Sequence, residues 1–232
     1  MNIKFDTYTL YARIYPTLLV FFPFFTLHYF LLSPELGIFW GTILQFKILS
    51  DVTVSVALFF LLMQVNRIVS KEVFEKRMYD NGLCFPTTTM LLHADSNFSD
   101  DYKKKIYQKI QSNFEIDIPS AEKEKKSEYR SRQVISEAIS HIRTKVGKGK
   151  LLGQHNAEYG FVRNFTGGNL VAAVMSILNL IIFSWVYPNP KAQMISLVMV
   201  LVYLVFSLLS RWMIDSVGRS YAKILIQEYM AQ

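Results

Sequence analysis

LVAAVMSILNLIIFSWVY, residues Leu170–Tyr187, runs for 18 residues without a charged side chain, and its reading decides the fold. At ~1.5 Å rise per residue, about 20 apolar residues cross roughly 30 Å of hydrocarbon as one helix. The short turn Pro188-Asn189-Pro190-Lys191 follows it, and a second apolar run, Ala192–Trp212, comes back. The same arrangement stands nearer the N-terminus, where Ile14–Leu32, the turn Ser33-Pro34-Glu35 and Ile38–Met63 succeed one another. These two pairs bracket a lysine-rich middle running from Asn66 to Phe165. The expected fold is an all-α membrane protein, with four transmembrane helices in two hairpins and a helical cytoplasmic insert between spans 2 and 3. By number, residues 1–65 form the first hairpin, 66–166 the regulatory insert, 167–213 the second hairpin and 214–232 a cytoplasmic C-terminal helix.

A chain of 232 residues, 51% of them hydrophobic, would also suit one soluble domain, but the distribution of charge opposes that. Between Asn66 and Phe165 lie 18 of the 25 basic and 13 of the 18 acidic residues, a local excess of five positive charges. The first apolar run is too long for a signal-peptide core, lacks a small-x-small cleavage site and is followed at once by another. Lys and Arg gather in the insert and in the terminal flanks, while the two short turns carry only Lys191. The positive-inside rule then puts both termini and the insert in the cytoplasm. Tyr15, Tyr29, Trp40, Trp185, Tyr187 and Trp212 fall near the ends of the runs, where aromatic belts are expected. The single cysteine, Cys84, excludes an intrachain disulfide and agrees with a reducing compartment.

Within the insert, a helix leaving the second span is expected to continue from Gln64 to Asp80 and stop at Asn81-Gly82. Ser99 is placed to cap a helix over Asp100–Phe114, whose acidic first turn suits the helix dipole. Pro119-Ser120 opens a longer helix with an apolar stripe of Val134, Ile135, Ala138, Ile139, Ile142 and Val146, closed by Gly147. Its first part, Glu122 to Arg132, has no apolar face. Gly167-Gly168 offers a hinge or a tight backbone approach.

Three groups of residues invite a functional reading. Lys47 and Asp51 share one helical face inside the second apolar run, near Ser55, and Asn179 lies midway along the third. Charges at membrane depth face a bundle interior or a water-filled path, unless they snorkel to the interface. The second group interleaves bases with tyrosines: Tyr102, Lys103, Lys104, Lys105, Tyr107 and Lys109, then Arg130 and Arg132. Such a face can be simply solvated, can meet anionic lipid, or can hold phosphates and stack bases of a single-stranded oligonucleotide. Third, Lys148 and Lys150 in Gly147-Lys148-Gly149-Lys150 make a basic turn, with His155 and Arg163 following. That turn lacks the GxxxxGK[ST] spacing and a preceding strand, so it is no nucleotide-binding P-loop. Four scattered histidines, without HExxH or CxxC, support neither a metal site nor a cofactor, and no nucleophile elbow or intramembrane carboxylate pair points to an enzyme.

The layout of two short-looped hairpins around a helical insert, with Lys150-Leu151-Leu152-Gly153-Gln154-His155-Asn156-Ala157-Glu158-Tyr159-Gly160-Phe161-Val162-Arg163-Asn164 leading into Gly167-Gly168, resembles small membrane effectors of bacterial anti-phage systems. It is most similar to the oligonucleotide-controlled channel effectors of the Hailong type. The resemblance implies a homotetrameric, ion-conducting assembly in the bacterial inner membrane. It further implies that the cytoplasmic part binds a short single-stranded DNA oligomer made by a nucleotidyltransferase encoded nearby, and that opening depolarises the cell. The residues themselves leave a second class open, a non-conducting membrane adaptor or scaffold that recruits a cytoplasmic partner or anionic lipid. An intramembrane enzyme or small transporter would need a constellation that the sequence does not offer.

Overall fold

The computed structural model describes residues 7–32, 47–147 and 149–232; the side chains of 47–54 and of Lys150 lie outside that description. Among the described residues every regular element is helical. α1 (Thr7–Val20) and α2 (Phe22–Leu32) are bent by 41° at Phe21. α3 (Lys47–Val69) runs on through a π-helical turn, Ser70–Glu75, and a last turn at Lys76–Met78. Then come α4 (Pro86–Thr89), α5 (Asp100–Phe114), α6 (Ala121–Lys126), α7 (Glu128–Val146), α8 (Lys150–Ile181) and α9 (Pro190–Ala231). Two helical stretches, Leu151–Val186 and Pro190–Ala231, are long and apolar enough to cross a membrane, and α1 with α2 makes a third if the bent pair is one span. The remaining expected span, Ile38–Met63, falls partly outside the described residues.

The chain divides into two compact units, Met1–Phe74 with Gly160–Arg211, and Glu75–Tyr159 with Trp212–Gln232. The first takes in Asn66–Phe74 and Gly160–Thr166, beyond the hairpin limits expected from hydropathy, because Asn66 and Ser70 pack on Gly167 and Gly168. It is turned inside out relative to a water-soluble domain. Leu18, Phe22, Phe25, Leu61, Val174, Leu178, Leu201, Leu204 and Leu208 are exposed, while Thr17, Asn66, Ser70, Asn164, Asn169, Ser176, Asn179 and Ser196 are buried. Where the solvent is hydrocarbon, apolar side chains lose nothing by facing it, and small and polar residues bring helices together. This apolar unit therefore has the surface of a membrane-associated protein.

The second, charged unit has an ordinary hydrophobic core. Ser99 caps α5 by accepting the amide of Tyr102 at 3.3 Å, and Glu115 closes that helix in a left-handed conformation at φ 58°. The stripe on α7 is buried at Ile135, Ala138, Ile139, Ile142 and Val146, and each such side chain contributes roughly 1.5–3 kcal/mol of burial when large. Ile214, Tyr221, Leu225, Ile226 and Tyr229 complete the core, so the C-terminal segment belongs to this unit rather than standing apart. The long helix expected from Ser120 to Val146 is in fact two. Ser127 adopts φ −153° and ψ 85° between α6 and α7, and the break lets α6 turn Glu124 inward. Asn81-Gly82 does end the helix that follows α3, with Asp80, Asn81 and Gly82 all at positive φ.

Candidate functional site

Two proline residues shape the polar interior of the apolar unit. A proline has no amide N–H, so the carbonyl four residues earlier in its helix loses its donor. Pro16 stands four residues after Ala12 and Pro23 four after Leu19, at the places where a donor would be withheld in regular α-helix, and in hydrocarbon no water replaces a missing donor. Side chains from the other helices supply it. Asn164 Nδ2 on α8 donates to the Ala12 carbonyl at 2.6 Å, and the Tyr203 hydroxyl on α9 donates to the Leu19 carbonyl at 2.9 Å. Asn179 Nδ2 donates to the carbonyl of Pro23 itself at 2.6 Å. The intramembrane polar residue expected at Asn179 is thus fully buried and fastened to the bend between α1 and α2.

The seam extends to α3. Ser70 Oγ donates to Asn164 Oδ1 at 3.2 Å, and Asn66 Nδ2 donates to Thr17 Oγ1 at 3.3 Å, itself bonded to the Arg13 carbonyl at 2.8 Å. Close approach here requires glycine. A Cβ on Gly167 would lie 2.5 Å from the Asn66 carbonyl oxygen and the Ser70 amide nitrogen, and one on Gly168 would lie 2.8 Å from the Asn66 side chain. The expected tight backbone approach at Gly167-Gly168 is present, inside a continuous helix. Ser70 also opens a π-helical turn, one of four among the described residues with Leu10–Ile14, His28–Leu32 and Ile182–Val186. Of this seam the sequence had singled out Asn179 and the two glycines alone. The prolines were the available signal, since each stands four residues after a carbonyl that a side chain of another helix reaches.

Lys47 and Asp51 stand in the first turns of α3 with side chains outside the described residues, and Ser55 is half-buried. The amide nitrogens of Asn66, Asn164, Asn169 and Asn179 each reach a carbonyl or hydroxyl of another helix, while Thr166 Oγ1 and the amide oxygens of Asn66, Asn169 and Asn179 are buried without a partner among the described residues.

In the charged unit the row of bases and tyrosines on α5 splits by helical phase. Lys103, Ile106 and Ile110 fall on the inner face. Lys103 is 1% exposed, and its ammonium donates to the carbonyls of Leu92, at 2.7 Å, His93 and Asp95. Glu124 is also buried, and its carboxylate accepts the amides of His93 at 2.9 Å and Ala94 at 3.0 Å. The peptide groups 92–93 and 93–94 each have their oxygen on the cation and their N–H on the anion. An ammonium offers three N–H donors, and burying it unpaired would cost several kcal/mol, so this turn of backbone is what makes the charge tolerable. Lys103 is accordingly corrected from a ligand-facing base to an internal clamp. Glu124, in a stretch expected to have no inward face, is its counterpart.

The neighbours follow suit. The Tyr107 hydroxyl donates to the Leu91 carbonyl at 2.7 Å, and burial, then the charges of Glu124 and Asp100, push its phenol well above the ordinary value. Lys109 reaches the Met230 carbonyl at 3.3 Å and lies 5.3 Å from the Tyr229 ring centre. Tyr102 is half-buried beside Phe98. Arg132 pairs with Glu128 at 2.7 Å and donates to the Leu83 carbonyl and Thr89 Oγ1. Lys104, 3.5 Å from Asp101, and Lys105 and Arg130 remain exposed, as do Lys123, Lys125 and Lys126 on α6. In the basic turn, Lys148 and the Lys150 side chain lie outside the described residues. The nearby Leu152 amide donates to Glu228 Oε1 at 2.9 Å, so an internal carboxylate already meets the start of α8. His155 Nδ1 is 3.2 Å from Glu158, and Arg163 is half-buried in the apolar unit. Among the described residues no group of three or more His, Cys, Asp or Glu side chains is arranged to hold a metal. Comparison with protein-family models, with curated proteins and with solved structures gives no match.

Proposed function

We propose that the protein is a multi-pass membrane effector in which the charged unit, facing the cytoplasm, controls ion conduction by an oligomer of the apolar unit. Four spans in two hairpins, an inner-membrane location and a tetramer are parts of this proposal. The observation that carries it is the sharing of helices. α8 gives Lys150–Tyr159 to the charged unit and Gly160–Ile181 to the apolar one, and α9 is divided in the same way at Arg211 and Trp212. A ligand that favours one state of the charged unit would bias the other unit through those two helices by its difference in affinity.

The exposed bases Lys104, Lys105, Lys123, Lys125, Lys126 and Arg130 suit a polyanion, and the resemblance to oligonucleotide-controlled effectors names a short single-stranded DNA oligomer supplied by a nucleotidyltransferase. Conduction falls to the face carrying Lys47, Asp51 and Ser55, because charges at membrane depth face a bundle interior or a water-filled path. Planar-bilayer recording of the purified protein tests this: conductance present in wild type should fall with Lys47→Ala and Asp51→Ala. A membrane that stays insulating at every ligand concentration removes the channel reading. In binding assays, Lys104→Ala with Lys105→Ala should weaken salt-sensitive DNA binding.

One observation favours the adaptor instead: the described spans turn apolar residues outward and polar ones inward, as a non-conducting anchor would. A potential-sensitive dye followed during expression separates the two, since an adaptor leaves the membrane potential unchanged.

A further inference from the structure

A space lies beside the 41° bend at Phe21. A cavity of about 290 Å³ in the apolar unit is lined by Leu19 and Phe22 on the two sides of the bend, Phe165 on α8, and Val198, Met199, Val202, Tyr203 and Phe206 on α9. We infer that this cavity is a binding site for the acyl chain of a membrane lipid. The inference rests on the reading of the apolar unit as membrane-spanning.

Four observations carry it. First, the cavity offers nothing to water. Its only hydroxyl, on Tyr203, is spent on the Leu19 carbonyl at 2.9 Å, and a trapped water needs two to four polar partners. Second, it opens on the outer face: Leu19, Phe22, Val198 and Val202 are 46%, 55%, 54% and 45% exposed while lining it. Third, its α9 residues stand 8 to 16 positions beyond Pro190, roughly 12 to 24 Å along the helix, which is mid-depth in ~30 Å of hydrocarbon. Acyl chains are the mobile molecules at that depth. Fourth, its volume is about twice the ~150 Å³ of an apolar protein cavity that takes up benzene, room for roughly ten methylene carbons. A chain seated there would wedge the bend between α1 and α2 against α9.

The test uses the full chain in phosphatidylcholine vesicles doped with a phospholipid carrying a diazirine on its acyl chain. After illumination, adducts are mapped by peptide mass spectrometry. Leu208, 84% exposed outside the cavity, reports contact with bulk lipid. Adducts per residue on Met199, Val202 and Phe206 should exceed those on Leu208 about tenfold, a preference of about 1.4 kcal/mol. Val202→Trp, or Met199→Phe if the first variant does not fold, fills the cavity and should remove those adducts while leaving Leu208 labelled. Labelling that follows exposure alone, or that survives the filling substitution in a folded variant, overturns the site while leaving the membrane reading intact. No label on Leu208 overturns both. A Met199→Cys protein in a Cys84→Ala background that oxidises to a dimer in these vesicles would give the cavity to a second copy and overturn the lipid assignment.

Discussion

Both units bury polar side chains, but of different kinds. Among the described residues of the apolar unit the buried polar ones are Asn, Ser and Thr, whereas the charged unit buries Lys103 and Glu124 besides Thr87, Thr88 and Ser131. The contrast follows from what surrounds each. A neutral amide in hydrocarbon needs one or two partners, and carbonyls near two prolines supply them. A charged group needs several strong partners, which the turn Leu92–Asp95 provides by showing its carbonyls to Lys103 and two of its amides to Glu124. In each unit the backbone supplies the partners that other side chains do not.

The largest effect should come from breaking the clamp. Lys103→Met leaves Glu124 buried and the carbonyls of Leu92, His93 and Asp95 without their donor, and should cost about 3–5 kcal/mol in denaturant unfolding of the full chain in detergent. Lys104→Met, one position away and exposed, should stay within ~0.5 kcal/mol. Equal effects at the two positions would show that the clamp does not form. Gly167→Ala comes next. Its Cβ would meet backbone atoms of Asn66 and Ser70 rather than a movable side chain, so roughly 1–3 kcal/mol of destabilisation is expected in the same assay. Gly153→Ala meets nothing within 4 Å and should be neutral or slightly stabilising.

The proline seam predicts something finer, a coupling. Asn164→Ala should cost about 0.6–1.7 kcal/mol, the range of interhelical hydrogen bonds in membranes. Pro16→Ala restores a backbone donor near the Ala12 carbonyl, so the same substitution made in that background should cost less. Additive losses would mean that Asn164 and Pro16 do not act on the same carbonyl.

These features differ in how far the sequence displays them. The two membrane-length helical stretches Leu151–Val186 and Pro190–Ala231 follow from uninterrupted apolar runs, the start of α5 from Ser99 with its acidic first turn, and the inner stripe of α7 from 3.6-residue spacing. Gly167-Gly168 was legible as either a hinge or a close approach, and the continuous α8 with Asn66 and Ser70 packed on both glycines decides for the second. The partners were not. Asn164 and Ala12 are 152 positions apart, Tyr203 and Leu19 184, and no local pattern joins them. Lys103 looked like Lys104 and Lys105 because the run of three says nothing of helical phase, and the phase becomes decisive only when Ile106 and Ile110 are seen to share its face. Glu124 was hidden for another reason: the break at Ser127 frees α6 from the orientation that one continuous helix would impose.

The smallest expected effect is a pH dependence confined to the charged unit. Burial raises the phenols of both Tyr107 and Tyr79; carboxylates add to it, Glu124 and Asp100 for the first, Asp215 and Glu75 for the second. Their unfolded value is ordinary, about 10, so the unfolded chain gives up these protons first as pH rises. The stability linked to them is whole below pH ~10 and declines above it, with folding opposed in proportion to the protons already lost by the unfolded state. Tyr107→Phe should therefore do two things. At neutral pH it removes the bond to the Leu91 carbonyl and costs about 1 kcal/mol, and above pH ~10 it makes the loss of stability shallower than in wild type. Tyr79→Phe with Tyr107→Phe should flatten it further. An alkaline limb as steep in the double variant as in wild type would assign the decline to lysine deprotonation and detach it from these phenols.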